Sequence, residues 1–151
     1  MLDEKFTAAL LFLARKLDRT RVKWSLFGGS ALAIRNYPIH PVDIDILCGI
    51  ESAGKIARLF PESTRTILPK RGNRAACEKF VLGIGDVQVD IVCELPVADF
   101  GVLERIPLGK REIPVRTIGT EIAFYKSIRK FKRARELSDW RKKSAVLEST
   151  D

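Results

Sequence analysis

Histidine is almost missing from this chain: among 151 residues only His40 carries an imidazole. That scarcity closes most routes to zinc chemistry and to histidine-centred acid–base catalysis. A Ser–His–Asp hydrolase built from Ser30, His40 and an aspartate also lacks the Gly-x-Ser-x-Gly elbow on which such nucleophiles sit. Cysteine is scarce as well. Cys48, Cys77 and Cys93 are odd in number, lack CxxC spacing and lie among apolar residues. They read as reduced core thiols of a cytoplasmic protein, not as a disulfide frame or a metal site. No apolar run approaches the roughly 18 residues needed to span a bilayer. Met1-Leu2-Asp3-Glu4-Lys5 is followed by no cleavable apolar segment. The expectation is therefore a cytoplasmic protein with no membrane span and no secretory leader.

What is present is a core-forming composition and an uneven charge. Apolar residues make up 46% of the chain, which excludes disorder, and its length predicts one domain over residues 1–151. The net charge is +8. Residues 1–100 hold 14 Lys+Arg against 12 Asp+Glu, whereas residues 101–151 hold 13 against 7. Between Lys126 and Lys143 there are nine basic residues and two acidic ones, a field that draws polyanions such as nucleotides or RNA.

Phe6, Leu10, Leu13 and Leu17 recur at helical spacing, predicting an amphipathic helix over 3–18. Val22–Phe27 reads as a strand that stops at Gly28-Gly29, after which Ser30 is a natural N-cap for the helix formers that follow. Two prolines make 36–41 a loop. Val42–Leu47 alternates apolar and acidic residues, the mark of a strand with one acidic face. A helix near 53–60, a short strand near 66–68, a hairpin of 79–84 with 87–93 turned at Gly85-Asp86, and a strand near 113–116 follow. From Gly119 the chain reads as helical and basic, with a break predicted near Leu137-Ser138-Asp139.

Chemistry concentrates in three aspartates and a glycine turn. On a strand, Asp43 and Asp45 point to one side with Cα atoms about 6–7 Å apart. Like charges that close are unfavourable without a cation between them. Such hard oxygen ligands suit Mg²⁺. Asp90, in Val89-Asp90-Ile91-Val92, has the same apolar flanks. If its strand pairs beside the first, three carboxylates could hold two ions about 3.5–4 Å apart. The strand–Gly28-Gly29-Ser30–helix turn offers backbone N–H groups to a phosphate, with the Ser30 hydroxyl as a further donor. Arg35 lies close enough in sequence to reach such a phosphate, and a surface role serves it equally well.

Gly28-Gly29-Ser30, twelve further residues, then Asp43-Ile44-Asp45-Ile46 resembles the signature of the DNA polymerase beta-like nucleotidyltransferase superfamily, with Asp90 matching its third carboxylate. The Gly-Gly-Ser-Ala-Leu-Ala opening looks most like the small prokaryotic branch, which includes minimal nucleotidyltransferases and abortive-infection, toxin–antitoxin members. Lys126, Arg133, Arg135-Glu136 and Asp139 resemble that branch's Lys…Arg-x-Lys-Asp-x-x-Asp tail. The likeness implies an α+β fold: a mixed β-sheet palm with flanking helices, its core about 20–118 and a basic C-terminal helical segment about 119–148. It implies Asp43, Asp45 and Asp90 as catalytic metal ligands for two Mg²⁺ ions, with Mn²⁺ as an alternative. Gly28, Gly29, Ser30 and Lys126 would hold the nucleotide. Val42 departs from the pattern, since a polar residue often precedes the first aspartate. Larger relatives also carry a helical acceptor-binding domain for which this chain has little room.

The expected activity is transfer of NMP from an NTP such as ATP to a hydroxyl on RNA, protein or a small molecule, with release of pyrophosphate. The alternative is a toxin–antitoxin component that docks a helical partner protein through its C-terminal helices. A basic nucleic-acid-binding domain without catalysis lacks any recognised reading motif.

Overall fold

Asp3 accepts a hydrogen bond from the Phe6 amide at 2.9 Å and so caps α1 (Glu4–Arg19), whose Leu10, Leu13 and Leu17 are fully buried. The computed structural model describes residues 2–70, 76–95 and 101–149. After α1 come β1 (Trp24–Phe27), α2 (Gly28–Ala33), β2 (Asp43–Gly49), a 3₁₀ turn (Ile50–Ser52), α3 (Ala53–Leu59) and β3 (Thr64–Leu68). They are followed by β4 (Cys77–Ile84), β5 (Val87–Leu95), β6 (Leu103–Leu108), β7 (Arg111–Arg116), α4 (Ile118–Ser127) and α5 (Phe131–Ser149).

The strands form one mixed seven-stranded sheet in the order β3-β4-β5-β2-β1-β7-β6. The β2–β5 and β1–β7 pairs are parallel and the other neighbours antiparallel. This is the mixed α+β palm expected from the sequence. Period-2 alternation sends Ile44, Ile46 and Cys48 of β2, with Val89, Ile91 and Cys93 of β5, into the main core beside the apolar stripe of α1. The aspartates at 43, 45 and 90 must then point to the opposite face. A second, smaller core joins Leu32 of α2 and Tyr37 to Ile122 and Tyr125 of α4 and to Ala134 and Leu137 of α5.

The β4–β5 hairpin turns at Gly85-Asp86 as anticipated, with Gly85 at φ +59° in the left-handed region that a tight hairpin requires. Strand β6 was not anticipated: Pro107 obscures its alternation, and it is tolerated because β6 is an edge strand. Two expectations need correction. The first residue of α2 is Gly28, so Phe27 and not Ser30 occupies its N-cap position. The C-terminal helices break at Ile128–Lys130, where Arg129 adopts φ +62°, and α5 runs unbroken through Leu137-Ser138-Asp139. Leu137 is fully buried, and that packing overrides the weak local preference of Ser138-Asp139 for a cap.

This difference is testable at Asp139. Proline is tolerated at the first residue of a helix but costs about 3 kcal/mol in an interior. Asp139→Pro should therefore lower unfolding free energy by about 3 kcal/mol in urea titrations; a near-neutral result would restore a helix start at Ser138.

Candidate active site

Parallel pairing of β2 with β5 places Asp45 directly beside Asp90 and Asp43 beside Gln88. Since Asp43 and Asp45 share a face, one carboxylate oxygen from each of Asp43, Asp45 and Asp90 lies within 4.8 Å of the others. Asp90 is only 6% exposed, and Asp43 and Asp45 are half-buried. The Gln88 side-chain amide donates to Asp90 Oδ1 at 3.1 Å, and Lys79 Nζ of β4 lies 3.6 Å from Asp90 Oδ2. One half-exposed ammonium does not balance three carboxylates. Burial, followed by the charges of Asp43 and Asp90, pushes the Asp45 carboxyl up to about 7, against the opposing pull of Lys79. Burial and then Asp90 raise Asp43 as well. An oxygen-only cluster with uncompensated negative charge fits a hard divalent ion, Mg²⁺ or Mn²⁺, and does not fit a soft metal.

The glycine turn sits against this cluster because Phe27 pairs with Asp45 across the antiparallel β1–β2 ladder. Gly28, the next residue, has φ +66°, and a Cβ there would lie 3.0 Å from Asp45 Oδ2. Only glycine meets both demands. Ser30 is fully buried: its hydroxyl donates to the Phe27 carbonyl at 3.2 Å and accepts from the Asp45 amide at 3.2 Å. It pins α2 to β2, and its hydroxyl is engaged inside the fold. Gly29 follows as the second residue of α2.

Among the described residues, no hydrogen bond or ion pair joins Arg35, Lys126 or His40 to the cluster. Arg35 turns away from it: Nη2 meets Glu104 at 2.9 Å and the Arg116 carbonyl at 3.0 Å. Lys126 is exposed in the last turn of α4, next to buried Tyr125. His40 is exposed in the loop before β2. Cys48 and Cys93 are register partners on the core face, fully buried, and the hydrogen bond with the Cys93 thiol, followed by burial, pushes Cys48 well above the usual thiol range.

Three contributors escaped the sequence reading. Lys79 and Gln88 become visible only once the strand register is known. Glu121 of α4 is 1% exposed and accepts from the Gly28 amide at 3.3 Å, with Arg116 Nε 3.4 Å away. Burial raises its carboxyl above the ordinary range, opposed by Arg116 and the Gly28 hydrogen bond. Arg116 lies over the rings of Phe27 and Phe124 at 5.9 and 5.5 Å. The acidic residue near a helix start was the available signal for Glu121, but nothing local ties it to a turn 93 residues earlier.

Among solved structures, a Thermotoga maritima protein assigned to the nucleotidyltransferases superposes with a TM-score of 0.74, covering 95% of this chain and 96% of its own, at 22% identity. The chain has the nucleotidyltransferase fold. The same fold appears in the antibiotic-resistance factor ANT(2″)-Ia, with a TM-score of 0.60, 14% identity and coverage of 99% and 98%. It appears again in the lincosamide antibiotic adenylyltransferase LnuA, with a TM-score of 0.58, 15% identity and coverage of 82% and 86%. No protein-family model matches the chain. A phosphoribosylamine–glycine ligase of Neisseria meningitidis serogroup B is 32% identical over 97 residues, which are 60% of this chain and 21% of that protein. The chain thus spans about a fifth of the curated relative it matches. Among the described residues no helix is long and apolar enough to cross a membrane.

The raised Asp45 value has a signed consequence. An unfolded aspartate titrates near 3.9. The ion-free fold therefore holds this proton more tightly than the unfolded chain, and its contribution to stability falls as pH rises from about 4 through 7. Asp45→Asn should raise the melting temperature of the ion-free protein at pH 8, by roughly 2–4 °C per kcal/mol recovered. The gain should shrink towards pH 4. Mg²⁺ should stabilise the wild type at pH 8 and not the variant; equal stabilisation of both would remove Asp45 from the ion site. Gly28→Ala should cost about 1–3 kcal/mol in the same melts.

Proposed function

We propose that this chain is a divalent-metal-dependent nucleotidyltransferase that moves NMP from an NTP to a hydroxyl acceptor, releasing pyrophosphate. The observation that carries the reading is the meeting of the Asp43, Asp45 and Asp90 carboxylates within 4.8 Å, with the Gly28 turn packed on Asp45. Its support from comparison is that solved structures of this fold include an adenylyltransferase acting on lincosamide antibiotics and ANT(2″)-Ia, seen with adenylyl-2″-tobramycin.

Asp43 and Asp45 would hold Mg²⁺ or Mn²⁺ together with Asp90. Bound there, the ions would neutralise the triphosphate and stabilise charge on the attacking and leaving oxygens. The chain's own residues then have distinct tasks. The Gly28-Gly29 turn would bring backbone close to the phosphates, and the amino end of α2 would offer its N–H groups other than that of Gly28, which Glu121 takes. Asp90 would help to polarise the acceptor hydroxyl, with Gln88 hydrogen-bonded to one of its oxygens and Lys79 near the other. Ser30 and Glu121 hold the turn from behind. Lys126 remains a candidate for the nucleotide's outer phosphates, reached from the exposed end of α4.

Incubation with each labelled NTP, Mg²⁺ or Mn²⁺ and candidate acceptors (RNA, the protein itself, small hydroxyl compounds) tests the proposal. Asp43→Ala and Asp90→Ala should each lower label transfer by roughly 10²–10³-fold or more, the scale on which removed transition-state stabilisers act. His40→Ala should retain it. Transfer that persists in both aspartate variants, or no transfer by a folded wild type that binds no NTP, would overturn the reading.

A further inference from the structure

Lys79 is the member of the carboxylate cluster to which the transfer chemistry assigns no task. Strand alternation puts it on the same face of β4 as Val81, the register partner of Asp90. Its own register partners are Thr66 of β3 and Val92 of β5, and neither is charged. Glu78, the nearest acid in sequence, is turned to the opposite face, where Arg65 donates to it at 2.8 Å. Among the described residues the ion pair of Lys79 is with Asp90, Nζ to Oδ2 at 3.6 Å. Its field reaches the other two carboxylates, because it opposes the rise of both Asp43 and Asp45. The side chain is 40% exposed, so a flexible four-carbon stem delivers this cation to the cluster from an accessible side.

Charge balance then limits how many ions the protein holds before substrate arrives. Ionised Asp43, Asp45 and Asp90 bring three negative charges. One divalent ion and the Lys79 ammonium together bring three positive ones. After the first ion, no negative charge is left over for a second. Both oxygens of Asp90 also have company already, Oδ1 from the Gln88 amide at 3.1 Å and Oδ2 from Lys79. Asp43 and Asp45 have no ion pair among the described residues, so they are the ligands open to a metal. A divalent ion a few ångströms from a unit positive charge loses roughly tenfold in affinity even at the dielectric of water.

We propose that Lys79 is a built-in cation standing in for one divalent ion beside Asp90, so that the protein without nucleotide holds a single ion, on Asp43 and Asp45. The inference rests on the reading of this cluster as the ion site of a nucleotidyltransferase. A second ion is admitted only with the negative charge of the nucleotide's phosphates, and Lys79 moves off Asp90 as it enters. Full metal loading is thereby made conditional on bound substrate.

The test is Mn²⁺ titration of the full chain at pH 8 and low salt, without NTP, read by the paramagnetic resonance of the free ion. Low salt keeps the screening of these charges weak. Wild type should bind one ion tightly. In Lys79→Met a second should bind, its affinity raised by roughly tenfold or more. Lys79→Arg keeps the charge and should behave as wild type. Lys55→Met removes a charge from α3, which packs on the opposite face of the sheet, and should also leave one ion. Thermal melts verify folding, and Lys79→Gln decides if Lys79→Met does not fold. Overturning results are two ions of similar affinity in wild type, a second ion that is no tighter in Lys79→Met, or the same gain in Lys55→Met. Two ions in wild type would leave the proposed transferase standing, whereas no ion in any variant would remove the metal site itself. Absence of NMP transfer by a protein that binds one ion leaves the role of Lys79 intact.

Discussion

The parallel register of β2 against β5 is the constraint on which the site depends. With Asp45 opposite Asp90, and Asp43 two residues back on the same face, three carboxylates have no room to separate. The opposite face of the same strands is fully apolar, with Ile44, Ile46, Val89 and Ile91 at zero exposure. A slip of one residue would bury the aspartates and expose those side chains, so burial fixes the register and the register enforces the repulsion. The rise in the Asp45 carboxyl is the visible trace of that conflict.

A second constraint works behind the glycine turn. Its left-handed residue, Gly28, donates to a glutamate buried between the turn and Arg116. A buried carboxylate is costly unless hydrogen-bonded and paired. Here a backbone amide and a guanidinium flanked by two aromatic rings both meet Oε1, while Oε2 is buried without a hydrogen bond. The arrangement ties the end of β1, the end of β7 and the start of α4 to one side chain. Truncating Glu121 would release all three, which is why its influence on the turn is structural in origin and local in effect.

Sequence alone exposed the acidic strand, the glycine turn and the long first helix, because each rests on local periodicity or on glycine and proline stereochemistry, whereas the mixed sheet came through resemblance. Asp90 was legible only through resemblance, since one aspartate between valine and isoleucine is ordinary. Lys79, Gln88 and Glu121 were not legible, because their roles arise from cross-strand register and from a contact spanning 93 residues. Ser30 was misread as a cap: a serine after two glycines has that propensity, but the buried Phe27 carbonyl and Asp45 amide take its hydroxyl first. The break in the C-terminal helices was misplaced for a related reason. Leu137 enters the second core, and burial outweighs the capping tendency of the two residues after it.

Why the acidic cluster lies in the middle of the sheet follows from the same energetics. Strands β5 and β2 are the third and fourth of seven, each hydrogen-bonded on both sides. Repulsion among carboxylates on an edge strand could relax by local fraying, since edges open at low free energy. In the centre, relaxation would require breaking two ladders and exposing the main core, so the charges stay together. The two edges carry different chemistry. β3 is largely exposed, and β6 meets α5 across a cavity that Arg35 lines.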